Sequence, residues 1–131
     1  MIKKDVVIIG GGPAGLAVAD KLFDLGIKDI VLFEKEEYLG GVLPQCIHDG
    51  FGLTKFGRNI TGPEYAQLYI RRILEKNISA ICCATVMDIY SDNHKKYVSV
   101  TLPEGERLYE AKAVVLATGC RERGRGSLAL P

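Results

Sequence analysis

Residues 6–15 read Val6-Val7-Ile8-Ile9-Gly10-Gly11-Gly12-Pro13-Ala14-Gly15, and a second apolar run, Ile30-Val31-Leu32-Phe33, ends at Glu34. A helical pattern joins the two runs. The order is therefore strand, tight glycine turn, helix, strand, acid. Each residue type has a physical job. Gly10 permits the sharp exit from the strand. Gly12 lacks a side chain, so another group can approach its backbone closely, and Gly15 lets the helix lie tight on the sheet. Pro13 suits the first helical turn, where its missing N–H would have had no partner.

This arrangement is the fingerprint of a dinucleotide-binding βαβ unit. The helix start presents free N–H groups and the positive end of its dipole to a pyrophosphate. Glu34 lies 24 positions after Gly10, close to the ~20-residue offset of a carboxylate that takes ribose hydroxyls. A lone GxGxxG turn would be weak evidence. The preceding strand, the following helix and the terminal acid give it context.

Working outward, the first helix is predicted over Pro13–Leu25, with Leu16, Ala19, Leu22 and Phe23 on its buried face and Gly26 as its stop. Residues 35–62 read as a long functional loop. Within it, Gly40-Gly41 allow backbone to pass near a ligand. A second helix opens at Thr61, with Glu64 at capping-box spacing and Pro63 in its first turn. Ala66, Tyr69, Ile70, Ile73 and Leu74 form its buried stripe, while Arg71, Arg72, Glu75 and Lys76 are expected to face water. From Ile78 the period changes to two. Ile78–Ile89 is strand-like, 91–94 is a turn, and Val98, Val100 and Leu102 alternate with polar residues as in a half-exposed antiparallel strand. After a turn at 103–105, Arg107–Ala111 returns. The unbroken apolar run 113–117 is expected to be a strand buried on both faces, ending at Thr118-Gly119.

The totals bound the function. At 131 residues the chain is about one domain of typical size. A net charge of +1 gives no electrostatic case for nucleic acid. Lys3-Lys4 before an apolar run imitates a secretion signal, but Asp5, the glycines and Pro13 interrupt it. Asp20 and Lys21 end the run short of a membrane span, and the expectation is a cytoplasmic protein. Cys46, Cys82, Cys83 and Cys120 make no CxxC pair, and no metal site is expected. Adjacent Cys82 and Cys83 are expected to be buried free thiols in a strand rather than a redox or metal site.

Three motifs in order carry a family resemblance: VVIIGGGPAGLAVA at 6–19 with FEK at 33–35, the GG pair at 40–41, and AVVLATGCRER at 113–123. Together they resemble the FAD-binding domain of the two-dinucleotide-binding flavoproteins, the pyridine nucleotide-dependent oxidoreductases that include the disulfide reductases. The resemblance implies an α/β, Rossmann-like FAD/NAD(P)-binding domain, a parallel sheet carrying an antiparallel β-meander. It implies FAD as cofactor and NAD(P)H as co-substrate. Gly10, Gly12, Pro13, Ala14 and Gly15 would cradle the pyrophosphate. Glu34 would take the adenosine ribose, with Phe33 and Lys35 beside it. Gly40, Gly41 and Val42 would run along the ribityl chain and flavin edge, Val86 would meet adenine through its backbone, and Ala117, Thr118 and Gly119 would close over the middle of the cofactor.

Two departures qualify the resemblance. Lipoamide-type disulfide reductases place two cysteines after the GG pair, and only Cys46 stands there. Cys46 and His48, just past the GG pair, are the candidate catalytic residues, His48 as a general acid–base. The family chain also continues into a nicotinamide domain. Residues 1–131 are thus expected to be the N-terminal part of an FAD-binding domain, truncated before that second domain and prone to self-association through an uncovered sheet edge.

The stretch GGVLPQCIHDGFG looks closer to a bacterial subgroup of NAD(FAD)-dependent dehydrogenases, some related to the flavin subunits of amino-acid oxidases or to glycerol 3-phosphate oxidation. The implied parent reaction is hydride or electron transfer between NAD(P)H or a small metabolite and FAD. The alternatives are a non-catalytic FAD- or ADP-binding module and a plain NAD-binding Rossmann domain. The last would leave GG at 40–41 and ATG at 117–119 without a role.

Overall fold

A computed structural model describes residues 1–41, 52 and 60–119. Its elements in chain order are β1 (Ile2–Ile9), α1 (Pro13–Asp24), β2 (Ile30–Phe33), α2 (Gly62–Glu75), β3 (Ser79–Ile81), β4 (Thr85–Asp92), β5 (Lys95–Leu102) and β6 (Gly105–Leu116). The six strands form one sheet in the order β3-β2-β1-β6-β5-β4. The first four run parallel, and β6-β5-β4 is an antiparallel ribbon.

The ribbon folds back over the parallel strands, so the molecule has three layers. On one face, Val6, Ile8, Ile30 and Leu32 pack against Leu16 and Ala19 of α1 and Tyr69 and Ile73 of α2. On the other, Val7, Ile9, Val31 and Phe33 pack against Val98, Val100, Leu102 and Tyr109 of the ribbon. Alternation along β1 and β2 divides their apolar side chains between the two cores. Phe33 meets Tyr109 edge to face with ring centroids 4.9 Å apart, a geometry that aromatic quadrupoles favour.

Local chemistry sets the helix ends. The Glu64 amide donates to Thr61 Oγ1 at 3.3 Å, and the Glu64 side chain reaches back to the Thr61 amide, completing the capping box. Both helices close in Schellman motifs. The Ile27 amide donates to the Leu22 carbonyl after α1, and the Ile78 amide to the Ile73 carbonyl after α2. Gly26 and Asn77 supply the left-handed residues, with φ of 94° and 54°.

Five expectations are corrected. The strand foreseen over Ile78–Ile89 is two strands, and the chain leaves the ladder at Cys82-Cys83 to cross from β3 to β4. Those cysteines are therefore not buried strand residues: Cys82 is half-buried and Cys83 exposed. Leu74, placed in the buried stripe of α2, is 66% exposed, while Ala66, Tyr69 and Ile73 of that stripe are buried. Arg72 and Lys76, expected to face water, turn back onto α1, where they hold buried Asp20. Finally, the run 113–117 is not covered on both faces. Val114 and Val115 are half-buried on opposite cores and Leu116 is exposed, since among the described residues no element packs over the end of β6.

Candidate dinucleotide site

The C-terminal ends of β1, β2, β3 and β6 lie together, the place where open parallel sheets bind their ligands. The Gly10 amide donates to the Phe33 carbonyl at 2.8 Å and the Ala117 amide to the Ile9 carbonyl at 2.8 Å, so both ladders extend past the strands into the turn. The first and third sequence motifs are thereby in contact.

The glycines of the turn serve different ends. A Cβ on Gly10 would stand 2.1 Å from the Ala117 carbonyl oxygen, and the residue has φ of 114°. A Cβ on Gly15 would stand 1.8 Å from the Gly10 carbonyl oxygen. Packing within the protein excludes a side chain at both positions. At Gly12 it does not: a Cβ there would meet only Gly41 Cα, at 3.7 Å. The missing side chain at Gly12 leaves space that no atom of the described residues fills.

The GG pair comes back to this turn. The Gly40 amide donates to the Gly11 carbonyl at 2.7 Å, and a Cβ on Gly41 would lie 3.0 Å from Gly12 Cα. Backbone thus runs against backbone on both sides of Gly12. Pro13 opens α1, and Ala14 is exposed beside it.

Glu34 is buried, and its carboxylate binds the two neighbouring turns. Oε1 accepts from the Gly11 amide at 2.9 Å and Oε2 from the Glu36 amide at 2.7 Å. Each carboxylate oxygen keeps a further lone pair for an outside donor. Lys35 is exposed next to it.

The crossover after β3 runs alongside this segment. The Glu34 amide donates to the Ile81 carbonyl, the Cys83 amide to the Glu36 carbonyl and the Ala84 amide to the Glu34 carbonyl, each at 2.9 Å. Val86, two residues beyond Ala84, packs half-buried on the ribbon core. Burial pushes the Cys82 thiol above its ordinary range, and the Glu34 charge and Cys83 add to it.

α1 and α2 differ at their N-termini. α2 has its capping box and Glu64 in its first turn. The N-cap of α1 is Gly12, with no side-chain acceptor and no acid in the first turn. The start of α1 is consequently a patch of amide donors and positive dipole beside open space, the chemistry that receives a phosphate.

Gly10, Gly12, Pro13, Ala14, Gly15, Phe33, Glu34, Lys35, Gly40, Gly41, Ala117, Thr118 and Gly119 therefore lie at one end of the parallel sheet. Val42, Cys46, His48 and Cys120 lie outside the described residues. The sequence reading missed Gly11, whose amide anchors Glu34, and Glu36, whose amide and carbonyl tie Glu34 to the crossover. The middle glycine of the run was itself the available signal for Gly11: a Cβ there would stand 2.7 Å from Leu39 Cδ2. For Glu36 there was none.

Comparison with known proteins agrees with this geometry. The sequence pattern of the family described as pyridine nucleotide-disulphide oxidoreductase matches residues 4–126. An opine oxidase subunit from Agrobacterium tumefaciens is 29% identical over 91% of this chain and 24% of its own length. Thioredoxin reductase from Ureaplasma parvum is 31% identical over 91% of this chain and 36% of its own. Among solved structures, L-proline dehydrogenase from P. horikoshii superposes with a TM-score of 0.78 at 25% identity, over 94% of this chain and 24% of that one. Bacillithiol disulfide reductase Bdr from Bacillus cereus does so with a TM-score of 0.72 at 26% identity, over 89% and 40%. The chain thus spans well under half the length of these relatives. It belongs to the pyridine nucleotide-disulphide oxidoreductase family, and its fold is the Rossmann-like FAD-binding fold.

Proposed function

We propose that residues 1–131 are the FAD-holding part of a flavin-dependent oxidoreductase that uses NAD(P)H or a small metabolite as its two-electron partner. The observation that carries the reading is the space at Gly12, bounded by the uncapped start of α1 and the Gly40-Gly41 backbone. The Ala14 and Gly15 amides would face the pyrophosphate. The second lone pairs of Glu34 would take the ribose hydroxyls, with Phe33 and Lys35 flanking. Gly41 and Val42 would pass the ribityl chain, Ala117, Thr118 and Gly119 would border the middle of the cofactor, and the Val86 backbone would meet adenine. Bound FAD supplies the hydride-accepting chemistry, and the protein supplies position and electrostatics.

Cys46 and His48 follow the GG pair closely in sequence and are the residues we assign to the flavin edge. A cytoplasmic location fits the parent reaction, and among the described residues no helix is long and apolar enough to cross a membrane. Residues 1–131 by themselves would bind the cofactor but not turn over. An amino-acid-derived substrate for the parent protein is favoured by two of its relatives, the opine oxidase subunit and the L-proline dehydrogenase.

The test is spectroscopic. Titration of the purified protein with FAD should perturb the flavin absorption bands and quench flavin fluorescence saturably, in competition with ADP. Saturable binding of NADH with none of FAD would overturn the assignment.

A further inference from the structure

The break between β3 and β4 sets two thiols side by side next to Glu34. Cys83 is exposed, and Cys82 lines a cleft of about 400 Å³ with Tyr38, Leu39, Ala66 and Ile70. Small molecules can therefore reach both residues. Cys83 has φ of 55°, in the left-handed region. Its amide is the middle one of the three donors that zip residues 81–84 to residues 34–36.

We infer that Cys82 and Cys83 form a reversible dithiol–disulfide site, whose closure unzips the crossover from the Glu34–Glu36 segment. The oxidant is a low-molecular-weight disulfide. Cys83, the exposed thiol, loses its proton and attacks one sulfur of that disulfide. A mixed S–S bond forms, the original S–S bond breaks, and one small thiolate leaves and takes up the proton. Cys82 then attacks the Cys83 sulfur and displaces the second small thiolate, which takes the Cys82 proton. Two protein thiols are oxidised by two electrons, and the small disulfide is reduced to two thiols. Cys82 suits the second role, since it is half-buried while Cys83 is exposed, and burial and the Glu34 charge push its thiol up.

Consecutive Cα atoms are about 3.8 Å apart across a trans peptide, closer than the ~4.4–6.8 Å that relaxed disulfides span. The ring can close only if the Cys82–Cys83 peptide and its flanking torsions turn. The amide that donates to Glu36 belongs to that peptide, so closure withdraws it. A strained bridge of this kind is readily reduced again, which suits a switch rather than a staple.

This inference goes beyond the FAD reading and does not depend on it. The test is to equilibrate the whole protein with glutathione disulfide, alkylate it and digest with trypsin. Peptide Asn77–Lys95 carries both thiols. It should appear two hydrogens lighter and unalkylated, and dithiothreitol should restore it. Cys82→Ser should instead retain glutathione on Cys83. In the oxidised wild type, amide hydrogen exchange at Cys83 and Ala84 should rise about tenfold or more. Two alkylated thiols, or a mixed disulfide that persists in the wild type, would overturn the site. Unchanged amide exchange in the oxidised protein would overturn the unzipping. Neither readout involves a nucleotide, so a failure to bind FAD leaves both standing.

Discussion

The Glu34 carboxylate accepts a hydrogen bond from the Gly11 amide at 2.9 Å across 23 residues of sequence. The acid that closes the βαβ unit therefore also holds its glycine turn, with or without a nucleotide. Glu34→Gln keeps the shape but turns one acceptor into a donor that faces the Gly11 or Glu36 amide. Ligand-free protein should lose about 1–3 kcal/mol of stability, read from urea denaturation. An unchanged midpoint would confine Glu34 to ligand binding.

Gly12 and Gly15 should separate in their responses. Gly15→Ala drives a Cβ into the Gly10 carbonyl oxygen, and should cost about 3 kcal/mol or prevent folding. Among the described residues Gly12→Ala meets only Gly41 Cα, at van der Waals distance, and should cost about 1 kcal/mol or less. The same Gly12 variant should nevertheless bind FAD at least about tenfold more weakly, because its methyl group enters the space we propose for the pyrophosphate. Thermal melts and fluorescence titrations of the two variants check both halves.

α1 is held to α2 by charge. Buried Asp20 accepts from Arg72 Nη1 at 3.0 Å and from Lys76 Nζ, and Lys76 also reaches Asp24. Burial pushes the Asp20 carboxyl up, but the Lys76 and Arg72 hydrogen bonds and charges outweigh it and hold it below the usual carboxylate value. The bonds to Asp20 and Asp24 push the Lys76 ammonium up, against a smaller opposing effect of burial. A lowered carboxyl stabilises fully above its unfolded value of about 3.9, and that stability is lost as pH falls through the folded one. A raised ammonium stabilises fully below its unfolded value of about 10.4, and is lost as pH rises through the folded one. Asp20→Ala should cost about 2 kcal/mol at pH 7 and flatten the acid limb of a stability–pH profile. Lys76→Met should flatten the alkaline limb.

The two helix starts make a further contrast. Thr61→Ala removes the acceptor that caps α2 and should cost about 1 kcal/mol. It should leave FAD affinity unchanged, since that cap serves the helix alone. Urea midpoints and an FAD titration on the same preparation decide the matter.

The parts legible in the sequence are those whose partners lie close along the chain. The glycine turn shows as a run of adjacent residues, and the Thr61–Glu64 box and the alternation of Val98, Val100 and Leu102 are set within a few residues. The parts that were not legible depend on distant ones. Cys82-Cys83 have the apolar look of a strand, but the Glu34–Glu36 backbone draws the chain out of the ladder there. Arg72 and Lys76 occupy a polar face by helical period, yet Asp20, more than fifty residues earlier, turns them inward. At the site, residue types indicated Glu34 and the glycines, while the Glu36 amide that also holds Glu34 carries no side-chain signature at all.

β6 belongs to both halves of the sheet: its start pairs with β5, and Val6 to Ile9 of β1 align with Ala113 to Leu116. The strand at the centre of the sheet thus waits for a neighbour made more than a hundred residues later. During synthesis the N-terminal βαβ segment emerges with one flank of β1 open, and only the arrival of residues 105–116 shuts it. Such late, long-range closure slows folding, and leaves the nascent chain reliant on protection until β6 is out of the ribosome.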